Sequence, residues 1–192
     1  MGSVSAEEKI ITAAVECIEK YGIKGTTVRQ IAEQAGVNIA AVNYYFRSKD
    51  ALIERCMQQT LHNAFDWEDL KQLPGDSAAE HCKAIFNHLL EGGMNYPGIT
   101  RAHFYDLLVE GKYTPPLSTA IDGFIENLMT DMKLKGATLS DTELYLACAQ
   151  ITYAVFMFIL TPQLFDEKYG LNLQDTNTRR LYVNRLIDRL LK

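Results

Sequence analysis

The sequence predicts an all-α protein of about nine helices and no sheet. Three observations support this fold class. Apolar residues recur at the i, i+3, i+4, i+7 spacing of one helix face along most of the chain. Loop-forming clusters such as Leu73-Pro74-Gly75 and Tyr96-Pro97-Gly98 separate these stretches. Four Ser or Thr residues stand three positions before a Glu or Gln, the capping-box pattern of a helix start: Ser5/Glu8, Thr27/Gln30, Ser77/Glu80 and Ser140/Glu143.

The first predicted helix covers residues 6–21. Apolar side chains at helical spacing place Ile10, Ala14 and Ile18 on one buried face. We expect Gly22 to end this helix, because glycine tolerates the left-handed conformation found just beyond a helix end.

Two short helices joined by a tight turn are predicted next. The second capping box starts one helix near Val28, and Gly36 ends it. Asn38 is a good N-cap for the next helix, which runs through Tyr45. A turn of about three residues forces the helices to cross steeply, and this geometry is typical of the helix-turn-helix that reads DNA.

The second helix of this pair has the residue types that a DNA groove accepts. We expect Ile39 and Val42 to anchor it to the core. Small side chains permit close approach to a groove, an amide can pair with a base edge, and a tyrosine hydroxyl can reach a phosphate. The predicted groove-facing residues are Asn38, Ala40, Ala41, Asn43 and Tyr44.

Three residues are predicted to contact phosphates. Ser48 is the expected N-cap of the fourth helix, so Lys49 lies in its first turn beside free backbone N–H groups, where an anion binds well. Thr27 and Tyr44 complete this set.

The remaining helices follow from the same signals. The fourth links the N-terminal region to the rest of the chain. The fifth begins behind Ser77 and is expected to end at Gly92-Gly93, and the seventh begins behind Thr114 with Pro115 at its first position. The predicted ranges of helices four to nine are 49–65, 78–91, 100–110, 115–135, 141–160 and 176–191.

The last two helices are unusually apolar. Residues 144–160 form an apolar run of about 25 Å, which is short for a membrane span and is better explained by burial on both sides, against its own domain and against a partner. The final helix has a stripe of Val183, Leu186, Ile187, Leu190 and Leu191. These features predict either a four-helix bundle made by two copies of the chain or packing within a monomer.

Charge is distributed unevenly along the chain. The net charge is −5, but residues 20–49 hold five basic side chains against one acidic one, a local charge of +4. Residues 58–140 hold 6 basic and 11 acidic side chains. We therefore expect a basic face near the helix-turn-helix and an acidic remainder, which keeps DNA at one end.

The sequence gives little support for a metal site, a cofactor site or an enzyme active site. His103 and Asp106 form an i, i+3 pair without a second such pair, and the four cysteines have no zinc-site spacing. We expect those cysteines to be reduced core thiols of a cytoplasmic protein. Since the chain has no nucleophile elbow, phosphate loop or dinucleotide fingerprint, neither catalysis nor a cofactor is expected. A helical adaptor and an enzyme remain the alternatives.

The order of TTVRQIAEQAG, NIAAVNYYF and RSKDAL resembles the N-terminal domain of the TetR family of bacterial repressors. The resemblance covers residues 7–57, and residues 36–52 are its most specific part. It implies a DNA-binding domain over residues 1–57 and a larger ligand-binding and dimerisation domain over residues 58–192. The family often has tyrosine where this chain has Asn43, so we interpret Asn43 as a base reader.

The resemblance also implies partners. Similar proteins pair through their last two long helices, bind a DNA operator and are released from it by a small-molecule inducer held in the middle region. Plain core packing is the alternative role for each residue there. The candidate ligand residues are Phe86, Leu89, Phe104, Leu107, Leu108, Phe124, Asn127, Leu128, Gln150 and Tyr153.

Overall fold

The computed structural model describes residues 5–112, 115–164, 171–172 and 174–191. These residues form ten α-helices, one short 3-10 helix and no strand, which confirms the all-α prediction. Thr114, the expected start of the seventh predicted helix, lies outside them. The helices are α1 (Ala6–Gly25), α2 (Val28–Ala35), α3 (Ile39–Phe46), α4 (Lys49–Phe65), α5 (Trp67–Leu70), α6 (Ala78–Asn95), α7 (Pro97–Glu110), α8 (Pro115–Leu134), α9 (Asp141–Leu160) and α10 (Thr176–Leu190), with the 3-10 helix at Pro162–Leu164.

Local capping signals located most helix starts correctly. The four predicted capping boxes all form, each with reciprocal hydrogen bonds between side chain and backbone. The single-turn helix α5 was not predicted. It begins behind Asp66, whose carboxylate accepts a hydrogen bond from the Glu68 N–H.

Two glycine positions behave differently from the prediction. Gly22 does adopt a positive φ of 70°, but the chain resumes helical hydrogen bonding and α1 continues to Gly25. The prediction that Gly92-Gly93 ends a helix is wrong, because α6 runs through both to Asn95. A Cβ on Gly93 would lie 2.4 Å from the Ile159 side chain, so this glycine permits close packing of α6 against α9.

The chain divides into two compact units, and the first comprises Met1–Asn63 and Tyr96–Leu117. Its core is built on α1, and α7 packs against α1 as well. Gly98 makes this possible, because a Cβ there would lie 2.2 Å from the Glu19 carbonyl oxygen. The Ile99 N–H donates to a Glu19 carboxylate oxygen at 2.8 Å and thereby caps α7. This unit therefore includes a helix from beyond residue 57, where the sequence suggested a domain boundary.

The second unit comprises Ala64–Asn95 and Ser118–Lys192. Helices α6, α9 and α10 contact one another in it. Three polar pairs, at successive turns of α6, join it to α10 and set the antiparallel register of the two helices. A shift of one helix by one turn would separate every pair. These pairs are Lys83 with Asp188, Asn87 with Asn184, and Glu91 with the nearly buried Arg179.

Helix α9 is buried on one face only. Leu144, Cys148, Ile151 and Val155 are in the core, whereas an opposite stripe is half exposed. That stripe comprises Leu146, Gln150, Tyr153 and Met157, spaced i, i+4, i+7 and i+11. One chain therefore covers one side of α9, and cover of the other side by a partner stays a prediction. By length and composition α9 could span a membrane, but such helices are also common as core helices, and 44% of its most apolar window is buried.

The four cysteines are free and buried, as predicted. Burial raises the pKa of the Cys56 and Cys148 thiols to about 12, and it raises the pKa of Cys82 well above the ordinary value. Because the thiolate is the reactive species, these core thiols are inert at neutral pH.

Candidate nucleic-acid interface

Helices α2 and α3 are joined by a tight turn whose hydrogen bonds are all local. The Thr27 N–H donates to the Gln30 side-chain oxygen at 2.8 Å, which starts α2. Gly36 has a φ of 66°, and the following Val37 N–H donates to the Ala32 carbonyl at 2.9 Å. The Asn38 side-chain oxygen accepts from the Ala41 N–H at 2.7 Å and starts α3. The predicted helix-turn-helix is therefore present.

Helix α3 is anchored by Val42 and Phe46, which are 2% and 8% exposed. The expectation that Ile39 would share this role is wrong, because Ile39 is 46% exposed. Asn38, Ile39 and Ala40 are all exposed, so the first turn of α3 projects from the core. Phe46, one turn after Val42, therefore anchors α3 in place of Ile39, which the apolar pattern had suggested.

The outward surface of α3 is uncharged and accessible. Ala40, Asn43 and Tyr44 are exposed; Ala40 and Tyr44 lie opposite Val42 and Phe46 on the helix, and Asn43 lies at the side. Tyr44 is 81% exposed, and its ring packs edge-on against Tyr45 at 5.2 Å between centroids. At this exposure the hydroxyl-bearing ring lies outside the core. Of the predicted groove-facing set, Asn38 is also exposed and Ala41 is half-buried.

Two of the predicted phosphate contacts, Thr27 and Lys49, lie outside α3, at the starts of α2 and α4. The Ala51 N–H donates to the Ser48 hydroxyl oxygen at 3.1 Å, so Ser48 caps α4 and leaves the half-buried Lys49 in its first turn. The Thr27 side chain is exposed, but its hydroxyl donates to the Gln30 side-chain oxygen at 2.7 Å. A phosphate at Thr27 would compete with that internal hydrogen bond.

His103 is a structural side chain that links α7 to α4. Its Nε2 lies 2.9 Å from the Thr60 hydroxyl oxygen, and burial lowers its pKa to about 4. The described residues contain no group of three or more His, Cys, Asp and Glu side chains that could hold a metal ion. Among these residues, no third metal-ligating side chain therefore joins the i, i+3 pair of His103 and Asp106.

The His103 environment predicts a specific acid sensitivity. The folded pKa lies below the unfolded value of 6.5, so the unfolded state binds the proton first and stability is lost as pH falls from 6.5 toward 4. Between pH 7 and pH 5 this residue should remove about 2 kcal/mol from the free energy of unfolding. Urea denaturation of His103→Gln should show a pH dependence smaller by that amount. His88→Gln, at an exposed position, should retain the full dependence; equal behaviour of both variants would contradict the assignment.

The predicted ligand residues fall in both compact units. Helix α7 of the first unit carries the buried Phe104, the half-buried Leu107 and the 63% exposed Leu108. In the second unit Phe86, Phe124 and Leu128 are buried and Leu89 is half-buried.

The second unit contains an aromatic cluster around Phe124. The Phe124 ring lies 5.8 Å from Phe86, 5.3 Å from Phe65 and 6.4 Å from Trp67, measured between centroids. Phe65 and Trp67 are not among the candidate ligand residues that the sequence predicts. Trp67 is the sole tryptophan of the chain, and this could have marked it as a candidate.

The polar residues among the ligand candidates are exposed, unlike most of the apolar ones. Asn127, Gln150 and Tyr153 are exposed, and the last two lie on the outward stripe of α9. Their role as ligand residues stays a prediction. A cleft of about 480 Å³ lies within the first unit, lined by the end of α1 and by α7, but none of the predicted ligand residues lines it.

Comparison with known proteins identifies the N-terminal part of the chain. Residues 10–56 match the model of bacterial regulatory proteins of the tetR family. The probable HTH-type transcriptional regulator YttP of Bacillus subtilis is 43% identical over 56 residues, which cover 29% of this chain and 27% of YttP. The HTH-type transcriptional regulator BetI 1 of Chromohalobacter salexigens is 34% identical over 80 residues, 41% of this chain and 40% of BetI 1. The matched segment thus spans about a quarter to two-fifths of these relatives.

Solved structures extend the likeness of fold to the whole chain. A TetR transcriptional regulator from Legionella pneumophila has a TM-score of 0.72 at 20% identity and covers 100% of both chains. The regulator FadR from Bacillus subtilis, in complex with stearoyl-CoA, has a TM-score of 0.66 at 20% identity and covers 96% of this chain and 97% of that one. Residues 10–56 are thus similar to the DNA-binding part of bacterial regulatory proteins of the tetR family, and the whole chain shares the all-α fold of the solved regulators.

Proposed function

We propose that the chain is a ligand-responsive DNA-binding transcription regulator, acting as a cytoplasmic homodimeric repressor of a near-palindromic operator. The observation that carries this proposal is α3 itself. It is held to the core by Val42 and Phe46 and leaves Ala40, Asn43 and Tyr44 exposed. Residues 1–57 then form the DNA-binding domain and residues 58–192 the effector domain.

The contacts to DNA divide into two kinds. Thr27, Tyr44 and Lys49 contact phosphates and position α3, but contacts of this kind do not read sequence. Asn38, Ala40, Ala41 and Asn43 face the base edges, where an Asn amide pairs with adenine through two hydrogen bonds. Local charge supports this orientation, because residues 20–49 carry +4 in a chain whose net charge is −5.

Two copies of the chain pair through α9 and α10. The outward stripe of α9 supports this, since Leu146, Tyr153 and Met157 are each about half exposed, at 51%, 50% and 50%. An apolar stripe running along a long helix is buried when a symmetry-related copy packs against it. Each dimer then offers two α3 helices to successive major grooves.

An apolar or amphipathic small molecule releases the repressor. The aromatic cluster around Phe124 supports this class of effector, because apolar and aromatic walls are typical of small-molecule sites. The FadR neighbour was solved with stearoyl-CoA, so a long-chain acyl-CoA is a reasonable first probe. Release requires that the probe and DNA weaken each other's binding by the same factor.

Two substitutions test the proposed division of DNA contacts. Lys49→Ala should weaken binding to all duplexes and lower the magnitude of the salt slope by about one. Asn43→Ala should leave the salt slope unchanged and relax base preference at one operator position, by about 1–3 kcal/mol. Fluorescence anisotropy at several salt concentrations measures both effects. Lys71→Ala, a charge-matched control in the second unit, should change neither; a changed base preference in Lys49→Ala would contradict the assignment.

The alternatives predict different outcomes. A helical adaptor that binds only protein would retain no duplex from its own genome in a pull-down with the purified chain. An enzyme would turn over a substrate. Salt-dependent binding of the wild-type chain to duplex DNA is the result that separates the regulator from both.

A further inference from the structure

We propose that Arg47 is an additional phosphate contact, presented to DNA by a strained backbone at the end of α3. This inference rests on the proposed DNA-binding function. It concerns a residue that the capping and periodicity signals do not single out.

The Arg47 backbone is unusual within the described residues. Its φ of 57° and ψ of −33° make it the one non-glycine residue there with a positive φ, whereas five glycines share that sign. A Cβ disfavours this conformation, and its ψ also departs from the ordinary left-handed helical value. Glycine would make the same turn at lower cost in free energy. Strained residues of this kind cluster at functional sites.

The fold does not use the Arg47 side chain. The side chain is exposed, and no ion pair, hydrogen bond or ring contact holds it within the part of the chain that the structure describes. The Arg47 backbone N–H does donate to the Asn43 carbonyl at 3.0 Å, but any residue other than proline would make that bond. Glycine at this position would therefore make the same turn, with the same backbone hydrogen bond.

The position of Arg47 suits contact with the DNA backbone. It directly follows α3, which carries no charged side chain, and it stands two residues before Lys49 in the first turn of α4. A guanidinium group binds phosphate through two parallel hydrogen bonds. Arg47 and Lys49 would thus place two cations at the end of α3, on either side of the Ser48 cap.

Opposite effects on stability and binding test this inference. Arg47→Gly should raise the melting temperature, because it relieves the backbone, yet weaken binding to a non-specific 30-base-pair duplex by about tenfold. It should also lower the magnitude of the salt slope by about one. Arg47→Asn, which tolerates positive φ, should show the same loss of binding. Arg47→Lys should retain the wild-type slope.

A matched control removes the effect of net charge. Arg180→Gln loses one positive charge at an exposed position of α10 and should leave the salt slope unchanged. An Arg47→Gly variant that binds like wild type, or that loses stability together with binding, would overturn the inference. If the wild-type chain itself showed no salt-dependent binding to duplex DNA, the proposed function would fail instead.

Discussion

Inserting five base pairs between the two half-sites of the operator is expected to lower affinity by about 10³-fold or more. Five base pairs are half a helical turn, so the insertion moves one half-site to the opposite face of the duplex. The dimer can then place only one α3 helix in its half-site. Affinity falls toward that of non-specific binding, which is typically about 10³- to 10⁷-fold weaker than specific binding.

The operator for this experiment comes from selection of random duplexes with the full chain. Electrophoretic mobility shift or anisotropy titration measures the affinity at fixed salt. The control is an operator in which the same central bases are substituted without a change of length, and its affinity should fall much less. An affinity that survives the insertion would rule out a dimer that reads two half-sites at fixed spacing.

The second large effect is expected at the dimer interface, where Leu146→Asp should convert the dimer to a folded monomer. Leu146 lies on the outward stripe of α9 and is 51% exposed in one chain. In a two-fold symmetric interface the substitution places two unpaired carboxylates in an apolar contact. Burying each charge costs several kcal/mol, so the dissociation constant should rise by about 10³-fold or more.

Sedimentation velocity measures this outcome, and circular dichroism checks that the variant remains helical. Leu134→Asp is the matched control, because Leu134 is 83% exposed at the end of α8 and carries the same substitution away from the stripe. A monomeric wild-type chain, or a Leu146→Asp variant that still pairs normally, would contradict the proposed interface.

The same experiment bears on two predicted ligand residues. Gln150 and Tyr153 share the stripe with Leu146. If Leu146→Asp abolishes pairing, the outward stripe of α9 lies in the contact between copies, and Gln150 and Tyr153 are then expected to lie there too.

Local sequence signals determined the helix-turn-helix almost completely. Its signals depend on atoms only a few residues apart: the α2 capping box, the positive φ at Gly36 and the Asn38 cap. They can therefore be recognised without knowledge of the rest of the fold. The same reason explains the correct start of α9 behind Ser140. The all-α class followed from the same signals repeated along the chain.

Tertiary packing decided the features that depend on which surfaces meet. Ile39 and Phe46 are both apolar at helical spacing, yet only Phe46 faces the core, because the first turn of α3 projects beyond it. Gly93 permits close approach of α9 instead of ending α6, and Gly98 lets α7 join the first compact unit against α1. The sequence by itself determined where helices start and turn, since those choices are made by neighbouring residues. Apolar spacing was enough to predict the buried face of α1, but where it left a choice, as between Ile39 and Phe46 of α3, partners far away in the chain decided which side chain is buried.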